Sequence, residues 1–584
     1  MAFSRFKEWS QSHLDKKLII PLILFGVSVF LFYNFFFPSL REINLWDEAV
    51  YINTGRLLAE GQLPPFYRNP LVGVLYALTY LPYLSSPYWM VQSAALGRFI
   101  LFTLMWVGCY LVYQQSAKDH PTGIIVGFLI VFPALFEILV NPSDALFAAM
   151  SALALWQVLY YYNTRKKIHL WWASSLVGLA ALSRNDGLIL FLIFLVITLT
   201  LTWKSRKPWY WLPPSLLPFI ALVGGYLLVY GLATGDFSLG TTERSYVAFQ
   251  QGHSVVYHRT DGCQLSMMAC TVLEAQEIYG TPQENGHSIF KAISRNPQAY
   301  LERLGKIITR LPTLTFEAYG KRTAFLLFFL IARGLIELIH KRKISVLLLL
   351  LSWMLYMGTY FLTFFRKGYL WMSFPILYTL GVIGLYGVVL DIKEKKARGI
   401  WTALLVILSI VGLVTDTRAL YFTTFLFLGG LWIAYFILRG ENNQKNATAA
   451  TLLVFLTIGL VIRGGTFDPP ISHPLGEIAE EEAIVVLQEN FSQGTKVVAG
   501  APGAVWAARM EYVSISEEDF LFDSSEELNQ KLIELGVEAI YVDHHLSNIN
   551  EGIWRLIEPQ IDSGYETLYM GREGSIRVLA ITED

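Results

Sequence analysis

Apolar runs separated by short polar connections repeat along most of the chain. Each is roughly 17 to 25 residues long, enough to cross a bilayer as a helix. They fall near 18–37, 90–113, 121–140, 143–162, 169–183, 187–203, 211–234, 323–340, 344–365, 369–390, 399–415, 419–438 and 448–463, which predicts about 13 transmembrane helices. Two further stretches do not fit a span. In 49–60, Val50, Ile52, Leu57 and Leu58 stand beside Asn53, Thr54 and Arg56, the pattern of a helix lying in the interface and ended by Gly61 and Pro64-Pro65. Leu71 to Leu84 is apolar but short, with Pro70, Pro82 and Pro87 around it, and reads as a second interfacial or re-entrant segment.

The pattern changes after Asp468-Pro469-Pro470. Helical periodicity over 477–491, 525–535 and 549–561 alternates with strand-like 496–500 and 539–543. The stretches 565–570 and 575–581 then form an antiparallel pair across a Gly571-x-x-Gly574 turn. This predicts a membrane domain over 1–465 and a small α/β domain of two or three layers over 471–584. Gly500-Ala501-Pro502-Gly503 follows a strand but lacks a full dinucleotide or P-loop pattern.

Charge orients the spans. Every second connection is basic: Arg165-Lys166-Lys167, Lys204/Arg206/Lys207, Lys341-Arg342-Lys343 and Lys393/Lys395/Lys396/Arg398. Opposite turns hold one or two bases each, so the basic side and the amino terminus are cytoplasmic. The first run follows Arg5, Lys7, Lys16 and Lys17, is too long for a signal peptide and is read as a retained span. The carboxy-terminal domain, where acids outnumber bases by more than three to one, is then extracytoplasmic. Loops of about 38–89 and 235–320 share that face. With 54% apolar residues and a mean hydropathy of +0.44, this is a multi-pass protein of a plasma or inner membrane. No basic face with interleaved aromatics appears, so nucleic acid is not an expected partner.

All residues that look chemical fall on the outer face. Trp46-Asp47-Glu48 puts two carboxylates just past the first span, where desolvation is costly without a partner. Asp47 reads either as a helix N-cap or as a reactive carboxylate. Asp144 either caps its span or joins Asp47 around a divalent ion, the one cofactor the sequence allows. Arg98, Arg184, Arg366 and Lys367 either snorkel at span ends or bind an anion. Tyr369 belongs to the aromatic belt or hydrogen-bonds a phosphate. His253, His258 and His287 read mainly as solvated loop residues. Cys263-x6-Cys270 has a spacing that closes a small disulfide in an oxidising compartment or leaves two free thiols. No Cys/His cluster has zinc spacing.

Several segments together carry a resemblance. They are Asp47-Glu48 with the interfacial helix after it, Asn69-Pro70-Leu71, Leu96-Gly97-Arg98, Ser143-Asp144, Leu182-Ser183-Arg184-Asn185-Asp186-Gly187, and Arg366-x-x-Tyr369 with Pro375. In order and common face they resemble the GT-C membrane glycosyltransferases, in the protein O-mannosyltransferase and lipid A aminoarabinose transferase branch. The resemblance implies transfer of a sugar from a polyprenyl phosphate to an acceptor hydroxyl on a lipid, glycan or protein, with inversion. It implies Asp47 as general base and Glu48 as an acceptor or metal contact. It implies Arg184, Arg366, Lys367, Arg98 and Tyr369 at the donor phosphate. A transporter or flippase of a lipid-linked or polar substrate is the competing class. Its charges should lie near the midplane and its halves should repeat, and neither is seen here.

Overall fold

The computed structural model describes residues 47–63, 69–86, 89–117, 138–203, 212–235, 242–255, 267–319, 321–365, 367–414, 474–514, 524–543, 551–561, 563–571 and 576–581, with single positions elsewhere. Expected spans 18–37, 121–140, 419–438 and 448–463 lie wholly or largely outside these residues. So do Arg366, Cys263, His258 and the side chains of Asp47 and Lys367.

The first loop is a helical hairpin of α1 (Asp47–Ala59) and α2 (Pro70–Tyr80), extended by a 3-10 turn at Leu81–Tyr83. Pro70 sits in the first turn of α2, where its missing N–H has no intrahelical role. Four helices follow: α3 (Trp89–Ser116), α4 (Pro142–Thr164), α5 (Ile168–Ser183) and α6 (Asp186–Trp203). Then α7 (Leu212–Phe219) passes through a π turn at Ile220–Gly224 into α8 (Gly225–Thr234). Pro218 explains that change of register, because it offers no N–H and its ring displaces the preceding carbonyl.

The long loop folds as α9 (Thr242–Gln251), α10 (Met267–Tyr279), α11 (Ile289–Arg295) and α12 (Pro297–Tyr319). The break expected at Asn296-Pro297 is present, and the Ala299 N–H donates to Asn296 Oδ1 at 3.1 Å. Cys270 on α10 is disulfide-bonded, whereas Cys109 is a free, buried thiol.

Next come α13 (Lys321–His340), α14 (Ile344–Trp353) and, after a 3-10 turn, α15 (Gly358–Leu362). The short α16 (Lys367–Leu370) leads through a 3-10 turn into α17 (Phe374–Lys393), and α18 (Lys395–Val414) follows. Among the described residues, six helices are long and apolar enough to cross a membrane. The chain is an integral membrane protein.

The bundle centres on α4 and α17, the helices most enclosed by protein. Ala145, Ala148, Ala149 and Ala152 line α4 with small side chains, which lets its neighbours approach closely. The tightest crossing is α13 on α17. A Cβ at Gly384 would fall inside the Leu330 carbonyl, and one at Gly334 inside the Leu380 carbonyl. Only glycine fits there.

The carboxy-terminal domain has three layers. Its five strands are β1 (Lys496–Ala499), β2 (Glu511–Ser514), β3 (Val537–Val542), β4 (Tyr565–Met570) and β5 (Arg577–Ile581), in the order β2-β1-β3-β5-β4. The first three are parallel, and β5 pairs antiparallel with β3 and β4. Alternation sorts the core: Val497, Ala499, Ala539, Tyr541 and Val578 face one helix layer, and Val498, Ile540, Val542 and Leu579 the other. The short strand β2 has two exposed ends and a half-buried middle, so it carries no hydrophobic signal in the sequence.

This domain sits on the first-loop hairpin. Its helix Gly503–Ala507 packs against α1, and Ala507 joins the membrane core. Arg509 Nη2 donates to the Leu84 carbonyl at 2.9 Å.

Candidate active site

Two charged clusters stand at the end of the bundle that bears the first loop. The first joins α1, α2 and α3. Glu48, the second residue of α1, is fully buried. Its Oε1 accepts from Arg98 Nε at 2.9 Å and from Tyr76 OH at 3.1 Å, and its Oε2 pairs with Arg98 Nη2. Arg98 is only 1% exposed. Both members of this pair face protein, which changes the expectation that Arg98 meets a donor phosphate. Its bidentate edge lies on Glu48.

The second cluster gathers four distant segments. Ser183 ends α5, Arg184 is extended, and Asp186 opens α6. In this tight turn, Arg184 Nε reaches Asp186 Oδ2 at 2.8 Å while Nη1 pairs with Asp144 Oδ1 in the first turn of α4. Asp186 also accepts from Tyr360 OH at 2.7 Å and from Thr359 Oγ1 at 3.2 Å, both on α15. The rings of Tyr360 and Tyr369 stack 4.1 Å apart. The guanidinium carbon of Arg184 lies 5.4 Å from the Tyr369 ring centre and 5.8 Å from that of Tyr360. Arg184 keeps 19% of its side chain exposed. It is therefore a cation fixed on two sides and open on a third.

Asn69, at the entry to α2, ties this turn to the first loop. Its Nδ2 donates to the Ala181 carbonyl and to Asn185 Oδ1, both at 2.9 Å. Four of the segments picked out in sequence thus meet at one end of the bundle: 69–71, 143–144, 182–187 and the return past 366.

Of the two residues expected around a divalent ion, Asp144 is described and the side chain of Asp47 is not. Asp144 Oδ1 already pairs with Arg184, and Oδ2 is buried without a hydrogen-bond partner among the described residues. No three His, Cys, Asp or Glu side chains gather in metal-binding geometry among them.

Of the loop histidines, His253 is buried rather than solvated. Burial pulls its pKa down and the nearby Glu274 carboxylate works against that. Three residues absent from the expected set, Tyr76, Thr359 and Tyr360, complete the two clusters. An aromatic or hydroxyl residue inside an apolar run gives no local sign of such a role.

The sequence matches no family model and no curated protein. The chain has the GT-C fold. It is similar over 97% of its length, and 98% of the other chain, to ArnT from Cupriavidus metallidurans in the apo state, with TM-score 0.54 and 12% identity. Against the same enzyme bound to undecaprenyl phosphate the TM-score is 0.56 at 13% identity, over 96% and 97% of the two chains. The full-length match includes the carboxy-terminal domain.

Proposed function

We propose that this protein is a membrane glycosyltransferase that moves a sugar from a polyprenyl-phosphate donor to an acceptor hydroxyl on the extracytoplasmic face, inverting the anomeric centre. The observation that carries the reading is Arg184, a partly open guanidinium held by Asp144, Asp186 and two stacked tyrosines at the end of the bundle where α1 begins. The ArnT structure with undecaprenyl phosphate supports a lipid-phosphate donor in this fold.

In this mechanism the acceptor hydroxyl gives its proton to the Asp47 carboxylate as its oxygen attacks the anomeric carbon. The bond from that carbon to the phosphate oxygen breaks, and the electron pair leaves with polyprenyl phosphate. Negative charge grows on the phosphate, so a preorganised cation lowers the barrier. Arg184 supplies it beside Tyr369, and the resemblance adds Arg366 and Lys367. Glu48 and Arg98 act as positioning residues: their closed pair anchors the start of α1 and thereby Asp47.

The test uses purified protein in detergent with a panel of radiolabelled polyprenyl-phosphate sugars. Release of polyprenyl phosphate, lost in Asp47→Asn while donor binding persists, is the expected result. If no donor in the panel binds, the transferase reading fails and transport is measured instead.

A further inference from the structure

The carboxy-terminal domain does not close fully on the first-loop hairpin. A cleft of about 460 Å³ remains between them, within the size range of small-molecule sites. Ser85 and Ser86, just past the end of the hairpin, line one wall, and Gln488, Phe491, Gln493 and Arg509 of the carboxy-terminal domain line the other. The proposed reaction uses none of them.

The domain's wall is built by two turns pinned together. Helix Pro474–Asn490 carries Gln488, and the turn after it carries Phe491 and Gln493. The Gly494 N–H donates to the Arg509 carbonyl at 3.2 Å, and the Glu511 N–H to the Thr495 carbonyl at 2.9 Å. Arg509 stands just past helix Gly503–Ala507 with φ 62°. Its N–H donates to the Trp506 carbonyl and the Met510 N–H to that of Val505, the pairing that closes a helix end and that glycine fits best. Here that position bears a guanidinium instead. Its Nη2 donates to the Leu84 carbonyl at 2.9 Å and so ties the two walls together. That single bond leaves most of the guanidinium's donors for a guest.

The lining selects by kind. A sugar hydroxyl both donates and accepts, and so do the amides of Gln488 and Gln493 and the hydroxyls of Ser85 and Ser86. Gln493 is exposed and makes no hydrogen bond among the described residues, while Gln488 makes one long contact, 3.5 Å to the Ala507 carbonyl. Phe491 is half-buried and offers apolar surface to the C–H face of a sugar ring. The domain as a whole is acidic, which repels a polyanion.

We propose that this cleft binds a neutral sugar unit, and that the unit belongs to the acceptor, a glycan chain more than one residue long. The first statement stands on the cleft alone; the second rests on the transferase reading. Helix α2 separates the two places. Asn69 at its start holds the Arg184 turn, whereas Leu84 lies past its other end. With 11 residues α2 is about 16 Å long. A sugar in the cleft is therefore not the one that reacts beside Arg184. It anchors the chain from a distance, and its binding energy comes from a remote part of the acceptor.

The test uses full-length protein in a detergent with no sugar headgroup. Neutral tri- to hexasaccharides of glucose, mannose, galactose and N-acetylglucosamine are titrated against the same chains carrying uronate or phosphate, and polyprenyl-phosphate-sugar binding is read in parallel. Saturable binding of a neutral chain is expected. Arg509→Gly suits the backbone at φ 62° and should weaken it about tenfold, the worth of one hydrogen bond from a charged group. Because that variant also releases Leu84, Gln493→Ala provides a second reading, with binding expected to fall about fivefold. Donor binding should not change in either variant. If a neutral chain binds through these residues but no donor binds the wild type, the sugar site stands and its role for an acceptor falls with the transferase reading. No binding of any neutral chain, binding of acidic chains alone, or equal binding in both variants overturns the site, whatever the donor does.

Discussion

Arg98 meets Glu48 edge to edge, Nε to Oε1 at 2.9 Å with Nη2 on Oε2, and neither side chain reaches solvent. Two charges so enclosed depend on each other. Removing one leaves the other buried without its opposite charge, which costs roughly 3–5 kcal/mol, whereas replacing both by apolar groups of similar size is often neutral. Arg98→Met and Glu48→Gln should each lower the unfolding midpoint strongly, and Glu48→Leu with Arg98→Met should recover most of the loss. A single variant as stable as the wild type would contradict a closed pair.

Asp47→Asn should leave the protein inserted and folded, with turnover reduced by roughly two to four powers of ten, the usual worth of a general base. Donor affinity in the same preparation separates this from a binding defect. If turnover persists at the wild-type rate, another group takes the proton.

Arg184 is held by geometry as much as by charge. Arg184→Lys keeps a cation but cannot reach Asp144 and Asp186 together, so the donor KM should rise about tenfold, the cost of one charge-assisted hydrogen bond. Tyr360→Phe removes only the hydroxyl that braces Asp186 and should raise it less. Donor titrations that rank the two variants the other way would shift the phosphate contact from Arg184 to the tyrosine.

Gly384→Ala should destabilise the bundle by about 1–3 kcal/mol, because the methyl meets backbone rather than a movable side chain. Chemical unfolding in detergent reads this directly. An unchanged midpoint would mean that α13 and α17 are free to separate.

The loop helices should weaken in acid. His253 faces Glu274 on α10 and Arg303 and Lys306 on α12, with Tyr279 beside it. Burial is the largest influence and lowers its pKa, so the imidazole is neutral in the fold. Its contribution is complete above the unfolded value of about 6.5 and is lost as pH falls through the lowered folded value. In phosphate-free buffer, amide protection factors in α9 and α12, corrected for the intrinsic pH dependence of exchange, should fall between pH 7.5 and 5.5, and His253→Gln should flatten the change.

Much of the architecture is legible in local pattern. Runs of apolar residues mark α3, α4, α6 and α17 to within a few positions, since length and hydropathy alone decide what can cross a bilayer. Asn296-Pro297 marks its break because proline acts on its neighbour. The short β2 strand and the π turn after Pro218 leave no such trace. Each depends on partners beyond its own window.

Within the candidate site the divide follows sequence separation. Asp47, Asp144, Arg184 and Tyr369 stand out because charge and aromatic rings at span ends are costly or anchored, and that much the chain declares by itself. Which arginine is closed and which is open is another matter. Arg98 and Arg184 look alike in sequence, each beside a span end. Arg98 is sealed because α1, 50 residues away, brings Glu48 to its fork. Arg184 stays partly open because Asp144, 40 residues away, takes one nitrogen and leaves a face free. Composition and periodicity determined that this chain enters a membrane and ends in an α/β domain, because those properties sum over neighbouring residues. The pairing of each charge was decided only by the packing of distant helices, since an ion pair forms between whichever groups the fold brings within reach.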